Sequence, residues 1–323
     1  MQTAKCFPAN RKPAGLLVLF FAILFAGCTV SRPQTTQQAA GPVFEFLGEW
    51  GIKGNEPGQL SNPKWISTDG SGYIFVADSG SGLIQEFDPQ GHPLLAFSDR
   101  VPKNPFRVAV DSGEGIYSLS QAVNSICIFA PDGDWFRTIH LQGSSRRQWP
   151  QSLAIDSDGN IFVIEVLGNS EKTEIRKLTP RGRTVKSWLP ASVSAGSFSA
   201  SALAVSRDGN VFVVDDTTSQ IQEYSSDGNL LASGVRTPGV DEPAQELRRG
   251  EGIGVTSEYI FTAAPKVSGV QVWTLSLQPE FQDDLGGKLL QGAGAYQIAV
   301  SPLGELLVLD PSVPRVLRFR IHL

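Results

Sequence analysis

Residues 64–87, KWISTDGSGYIFVADSGSGLIQEF, read as strand, turn, strand, turn, strand. Ile66 opens an apolar run, Asp69-Gly70-Ser71-Gly72 is a turn cluster, and Ile74-Phe75-Val76 is a β-branched and aromatic run. Residues 78–82 make a second turn and residues 83–87 a third strand. One such sheet cannot bury both of its faces. Copies in series can, because each sheet supplies the core of the next.

The rest of the chain holds weaker copies. With the leading apolar residue of the first strand as anchor, they fall at Ile66, Val108, Leu153, Leu203, Ile253 and Ile298, at intervals of 42, 45, 50, 50 and 45 residues. Twelve residues past the anchor stand Asp78, Ser120, Glu165, Asp215 and Asp310. The fifth copy is one residue short in its first turn, Thr256-Ser257-Glu258, which brings Ala264 to that place. Strand spacing is held while connecting loops vary, as expected of a structural repeat.

Residues 44–50, FEFLGEW, form a strand with no three before it. The last copy, with strands at 297–300, 306–309 and 315–321, lacks a fourth. Laying the first strand on the outer edge of the last sheet repairs both defects and removes the unpaired edges of an open stack. The expected fold is all-β: a six-bladed β-propeller over residues 43–323, its N-terminal strand closing the last blade. The 33 glycines and 21 prolines suit short strands and tight turns.

Residues 46–51 (FLGEWG), 58–63 (GQLSNP), 74–78 (IFVAD) and 84–87 (IQEF) together resemble an NHL repeat. Later copies keep fragments, Asp156-Ser157-Asp158-Gly159-Asn160-Ile161-Phe162-Val163 and Asp208-Gly209-Asn210-Val211-Phe212-Val213-Val214-Asp215. The resemblance implies a binding or scaffolding propeller.

Ahead of the repeats, Lys5, Arg11 and Lys12 precede a ten-residue apolar run at 16–25, too short to span a bilayer comfortably. Leu24-Phe25-Ala26-Gly27-Cys28 resembles the bacterial lipoprotein lipobox, which implies a signal peptide over 1–27 and a lipidated Cys28. Residues 29–42, TVSRPQTTQQAAGP, have the composition of a flexible tether. The expected location is the bacterial cell envelope. Thr29 in place of the aspartate of inner-membrane retention signals implies the outer membrane of a Gram-negative cell. A net charge of −5 argues against nucleic acid as a partner, since its phosphates call for a basic face.

In a four-stranded meander, the turns from strand two to three and the crossovers between blades share one face. That face is expected to carry Asp78, Glu165, Asp215 and Asp310, and the long insertions at 141–149, 189–199, 235–250 and 281–292. The channel mouth there should show Lys64, Arg107, Gln151, Glu251 and Gln297, just ahead of the first strands. Trp149, beside Arg146 and Arg147, is the candidate contact aromatic, with blade packing as the alternative. Trp65, Trp135, Trp188 and Trp273 are expected to wedge between blades.

Four carboxylates around a channel could hold a divalent cation such as calcium. An aspartate ending a strand more often accepts hydrogen bonds from the loop's own amides, and that reading is favoured. Residues 156–160 open like a calcium loop, yet Leu167 stands where the closing glutamate belongs, so a plain turn is expected. His92, His140 and His322 share no predicted site, which removes the three-histidine zinc arrangement of the NHL-like amidating lyase. Glu251-Gly252 is similar to the metal-binding glutamate of gluconolactonase-type propellers, but that family's asparagine-glycine is missing. The expected function is a non-catalytic module for an envelope protein or peptide; the alternative is a metal-dependent hydrolase or lactonase.

Overall fold

Each repeat has folded into one blade because its four strands are joined by turns too short for any other pairing. In this computed structural model the described residues are 41–98, 105–120, 123–141, 148–168, 172–191, 200–215, 220–235, 252–264, 269–288 and 296–323. The opening strand is β1 (Val43–Trp50). Blade 1 is β2 (Pro63–Thr68), β3 (Ile74–Asp78), β4 (Leu83–Phe87) and β5 (Pro93–Ser98). Blade 2 is β6 (Arg107–Val110), β7 (Ile116–Ser120), β8 (Ser125–Phe129) and β9 (Trp135–His140). Blade 3 is β10 (Gln148–Ile155), β11 (Ile161–Leu167), β12 (Thr173–Leu178) and β13 (Thr184–Trp188). Blade 4 is β14 (Ala200–Val205), β15 (Val211–Asp215), β16 (Gln220–Tyr224) and β17 (Leu230–Val235). Blade 5 is β18 (Ile253–Val255), β19 (Tyr259–Ala264), β20 (Gly269–Thr274) and β21 (Pro279–Asp283), followed by a 3-10 turn, Leu285–Gly287. Blade 6 is β22 (Gln297–Ser301), β23 (Glu305–Asp310) and β24 (Arg315–His322), completed by β1.

The sixth sheet runs β1-β24-β23-β22, so the ring closes as the sequence predicts. Val43 pairs with His322 and Trp50 with Val316, with a bulge between Phe46 and Gly48. Phe46 packs on Phe319 at 5.4 Å, Phe44 on Phe261 of blade 5 at 6.0 Å, and Trp50 on Phe87 of blade 1 at 4.3 Å between ring centroids. The opening strand thus touches three blades. The unit it completes runs from Gly41 to Leu323.

The core lies between blades. Strands β3, β7, β8, β15 and β23 are buried along their whole length, because a neighbouring sheet covers each of their faces. Outermost strands are exposed on one side. This overturns the expectation for Trp135: it begins β9, where no fifth strand covers it, and is 45% exposed. Trp65 and Trp273 are buried between blades, and Trp188 is half-buried against Tyr224.

Every turn between first and second strands uses the same device, a side-chain oxygen accepting from the turn's own amides. Asp69, Asp111 and Asp156 each accept two backbone amides in blades 1 to 3. In blades 4 to 6 hydroxyls take that place: Thr256 accepts two amides, and Ser206 and Ser301 accept one each. The stretch 156–160 is therefore one turn among six. Short polar side chains favour such turns because they replace hydrogen bonds that the ladder cannot supply there.

Candidate functional site

Asp78 ends β3 and is fully buried. Its carboxylate accepts from the amides of Ser61 and Asn62 at 2.7 Å each, from Gly80 N at 3.1 Å and from Ser81 Oγ at 2.9 Å. Seven residues on, Gln85 accepts from Gly58 N and donates to Gln59 O, both at 2.7 Å. The pair fastens the crossover at 58–62 onto blade 1. Asp215 and Gln222 repeat the pair in blade 4, where Gln222 donates to Ala191 O of the preceding crossover at 2.6 Å. The glutamines were legible as a recurrence seven residues past Asp78 and Asp215, a signal the strand pattern masked.

Blade 3 substitutes a charge pair. Glu165 is fully buried, and Arg176 donates to its Oε2 at 2.6 Å and to Thr184 Oγ1 at 2.9 Å. Burial raises the Glu165 carboxyl above its ordinary value, against the opposing pull of the Arg176 guanidinium. Asp310, also buried, accepts from Ser312 N and Ser312 Oγ, and lies 3.5 Å from the Arg315 guanidinium. Arg315 in turn donates to Glu49 of the opening strand at 2.7 Å.

Asp78 and Glu165 do not fit a cation. The Asp78 oxygens are ringed by N–H and O–H hydrogens, which present positive charge to anything approaching, and Glu165 already faces a guanidinium. Among the described residues no group of three or more histidines, cysteines, aspartates or glutamates could hold a metal ion. Cys127 is a buried free thiol on β8. His92 meets Asp88, His140 meets Ser125 and His322 meets Glu45, at three separate places.

The residues ahead of the first strands divide. Lys64 and Gln151 are half-buried. Arg107 is 1% exposed, its guanidinium 4.1 Å from the ring centroids of both Trp65 and Phe106, and Gln297 is buried. Arg107 is therefore spent on packing, because a planar guanidinium stacks on aromatic faces. Glu251, Arg146, Arg147 and Cys28 lie outside the described residues.

Trp149 stands apart. In blades 1 and 2 the first pair of strands stops at or next to the level of the acid position, with Pro63 opposite Asp78 and Arg107 opposite Leu119. In blade 3 the ladder runs two residues past Glu165, pairing Trp149 with Val166 and Gln148 with Leu167. At β-strand rise that is about 7 Å further. Trp149 is 41% exposed on this extension.

Cavities lined by described residues accompany the ring. A channel of about 210 Å³ runs between the innermost strands. A cavity of about 790 Å³ opens on the opposite face, among the turns between first and second strands. A third, about 360 Å³, lies at the seam between Glu49, Lys53 and Arg315. Among the described residues no helix is long and apolar enough to cross a membrane.

No family model matches the chain. Over 126 residues, 37% of its length, it is 29% identical to the protein brain tumor of Drosophila melanogaster, and the match spans 12% of that relative. Among solved structures it superposes on a streptogramin B lyase with a TM-score of 0.59 at 12% identity, covering 87% of this chain and 98% of that one. Virginiamycin B lyase from Staphylococcus aureus gives 0.57 at 12% identity, over 86% and 99%. Nidogen from a nidogen–laminin complex gives 0.53 at 13% identity, over 68% and 79%. At such identities these structures speak for the fold alone. Fold and sequence match together make this chain a six-bladed β-propeller with distant similarity of the NHL type.

Proposed function

We propose that this chain is a lipid-tethered, non-catalytic binding module whose crossover face receives a protein or peptide of the bacterial envelope. The observation that carries the reading is the contrast on that face: Asp78, Glu165 and Asp310 are engaged by the scaffold, whereas Trp149 is exposed on a projecting ladder. An exposed aromatic held by strand pairing is a low-entropy anchor for a partner. The lipobox-like segment ending at Cys28 and the polar stretch after it would hold the ring near a membrane.

A photo-crosslinking residue at position 149, in envelopes solubilised with mild detergent, is expected to yield a discrete adduct. The same residue at Leu303, exposed on the opposite face, is expected to yield none. Absence of an adduct at 149, or equal adducts at both, overturns the reading. The tether has its own readout. Cys28→Ser is expected to lose labelling by a palmitate analogue and to move the protein from the membrane to the soluble fraction; retained labelling sinks the lipid anchor and leaves the crosslink result standing.

A further inference from the structure

The cavity on the face opposite Trp149 is not centred on the ring. It borders blades 4, 5, 6 and 1 and leaves out blades 2 and 3. The reason lies in how neighbouring turns meet. Between blades 2 and 3, Ser112 donates to Ser157 O at 3.3 Å, bridging turn to turn. Between blades 6 and 1, Thr68 donates to Val300 O at 3.2 Å, and a Cβ at Gly72 would lie 2.8 Å from Leu303. Blade 5 has the shortened turn, Thr256-Ser257-Glu258, and beside it the blade 4 turn stands clear: a Cβ at Gly209 would meet nothing within 4 Å. One missing residue has opened a cleft between blades 4 and 5.

Its lining has two characters. Val205, Val255 and Val300, half-buried, line both this cavity and the channel, so its floor is apolar. Its rim carries Asp69, Asp208 and Glu223 against Arg207. Glu223 is held toward the rim by Asn210, whose Nδ2 donates to Oε1 at 2.7 Å. Among the charged side chains that line it, three acids face one base, Arg207, so the field at the mouth is negative. At about 790 Å³ the cavity has the size of a small-molecule site.

We propose that this cavity binds a small organic ammonium with an apolar segment, the cation against Asp208 and Glu223 and the apolar segment toward the valines of the channel. The site uses the face away from Trp149 and is independent of the proposed protein-binding role.

Titration calorimetry with octylammonium, butylammonium, ammonium and octanoate tests it on the intact propeller. Octylammonium is expected to bind, with affinity rising about tenfold for each two methylenes across the series. Octanoate, of opposite charge, is expected not to bind. Asp208→Asn with Glu223→Gln is expected to weaken octylammonium about fivefold or more at low salt, and less at high salt. Glu114→Gln with Asp158→Asn, on turns outside the cavity, is expected to change it less than about twofold. Val255→Trp, or one glycine inserted after Ser257, fills the cleft and is expected to abolish binding; unfolding midpoints identify which of the two remains folded. Failure of octylammonium to bind, equal binding of octanoate, or unchanged affinity in a folded, filled variant overturns the proposal.

Discussion

Removing Val43–Trp50 is expected to leave the chain without a cooperative unfolding transition. The deletion takes the fourth strand from blade 6 and bares the β24 edge from Val316 to His322. It also uncovers Phe319, Phe261 and Phe87, on which Phe46, Phe44 and Trp50 pack. Those three aromatics are half-buried or partly exposed, so about 4–6 kcal/mol is a fair sum of their apolar contribution. Whole domains are stable by only about 5–15 kcal/mol. Urea unfolding followed by tryptophan fluorescence measures it; an unchanged midpoint would mean that the seam contributes nothing.

A single substitution probes the same seam more gently. Gly91, in the last turn of blade 1, has φ +92° and lies under the Trp50 indole, so an added Cβ would be 2.3 Å from Trp50 Cδ1. Gly91→Ala is expected to cost about 2–4 kcal/mol, combining a left-handed backbone with overpacking. In a Trp50→Ala background only the backbone share, about 1–2 kcal/mol, should remain. Equal cost in both backgrounds would show that the indole does not press on this turn. Gly70→Ala, with nothing within 4 Å, is the control.

The second large effect concerns the charge pair inside blade 3. Glu165→Ala is expected to cost about 3–5 kcal/mol, because the Arg176 guanidinium is left in a site built around a carboxylate. Replacing both, Glu165→Leu with Arg176→Met, is expected to recover most of that loss, since apolar side chains of similar volume avoid desolvating two charges. If the double variant is as unstable as the single, the pair contributes more than its desolvation costs. pH adds a signed test. Burial raises the folded-state pKa of Glu165 above the unfolded value of 4.5, so between the two values the folded state binds more protons. Stability contributed by the protonated form is therefore present at low pH and lost as pH rises through that window. The falling limb should be shallower in Glu165→Gln.

The sequence alone determined the number of blades, the order of strands and the closure. These follow from local periodicity: Ile66, Val108, Leu153, Leu203, Ile253 and Ile298 recur whatever lies between them, and an unpaired opening strand has one edge left to join. It also marked Asp78 as an acceptor for its own turn, where Gly80 and Ser81 donate to it over two and three residues, but not as the acceptor for Ser61 and Asn62 of the preceding crossover. Only the tertiary structure decided which polar side chains are spent on the scaffold. Arg107 looked like a channel-mouth cation until Trp65 of blade 1 was brought over it, and Glu165 read as one more acceptor for its own turn, whereas Arg176 meets it across the ladder. The off-centre cavity shows the division most plainly. The short turn of blade 5 is visible as a missing residue, but the space it leaves depends on Ser112, Ser157 and Leu303 filling the other junctions. Hydrophobic period is written along the chain, whereas burial and void are properties of neighbours 40 or more residues apart that only the closed ring brings together.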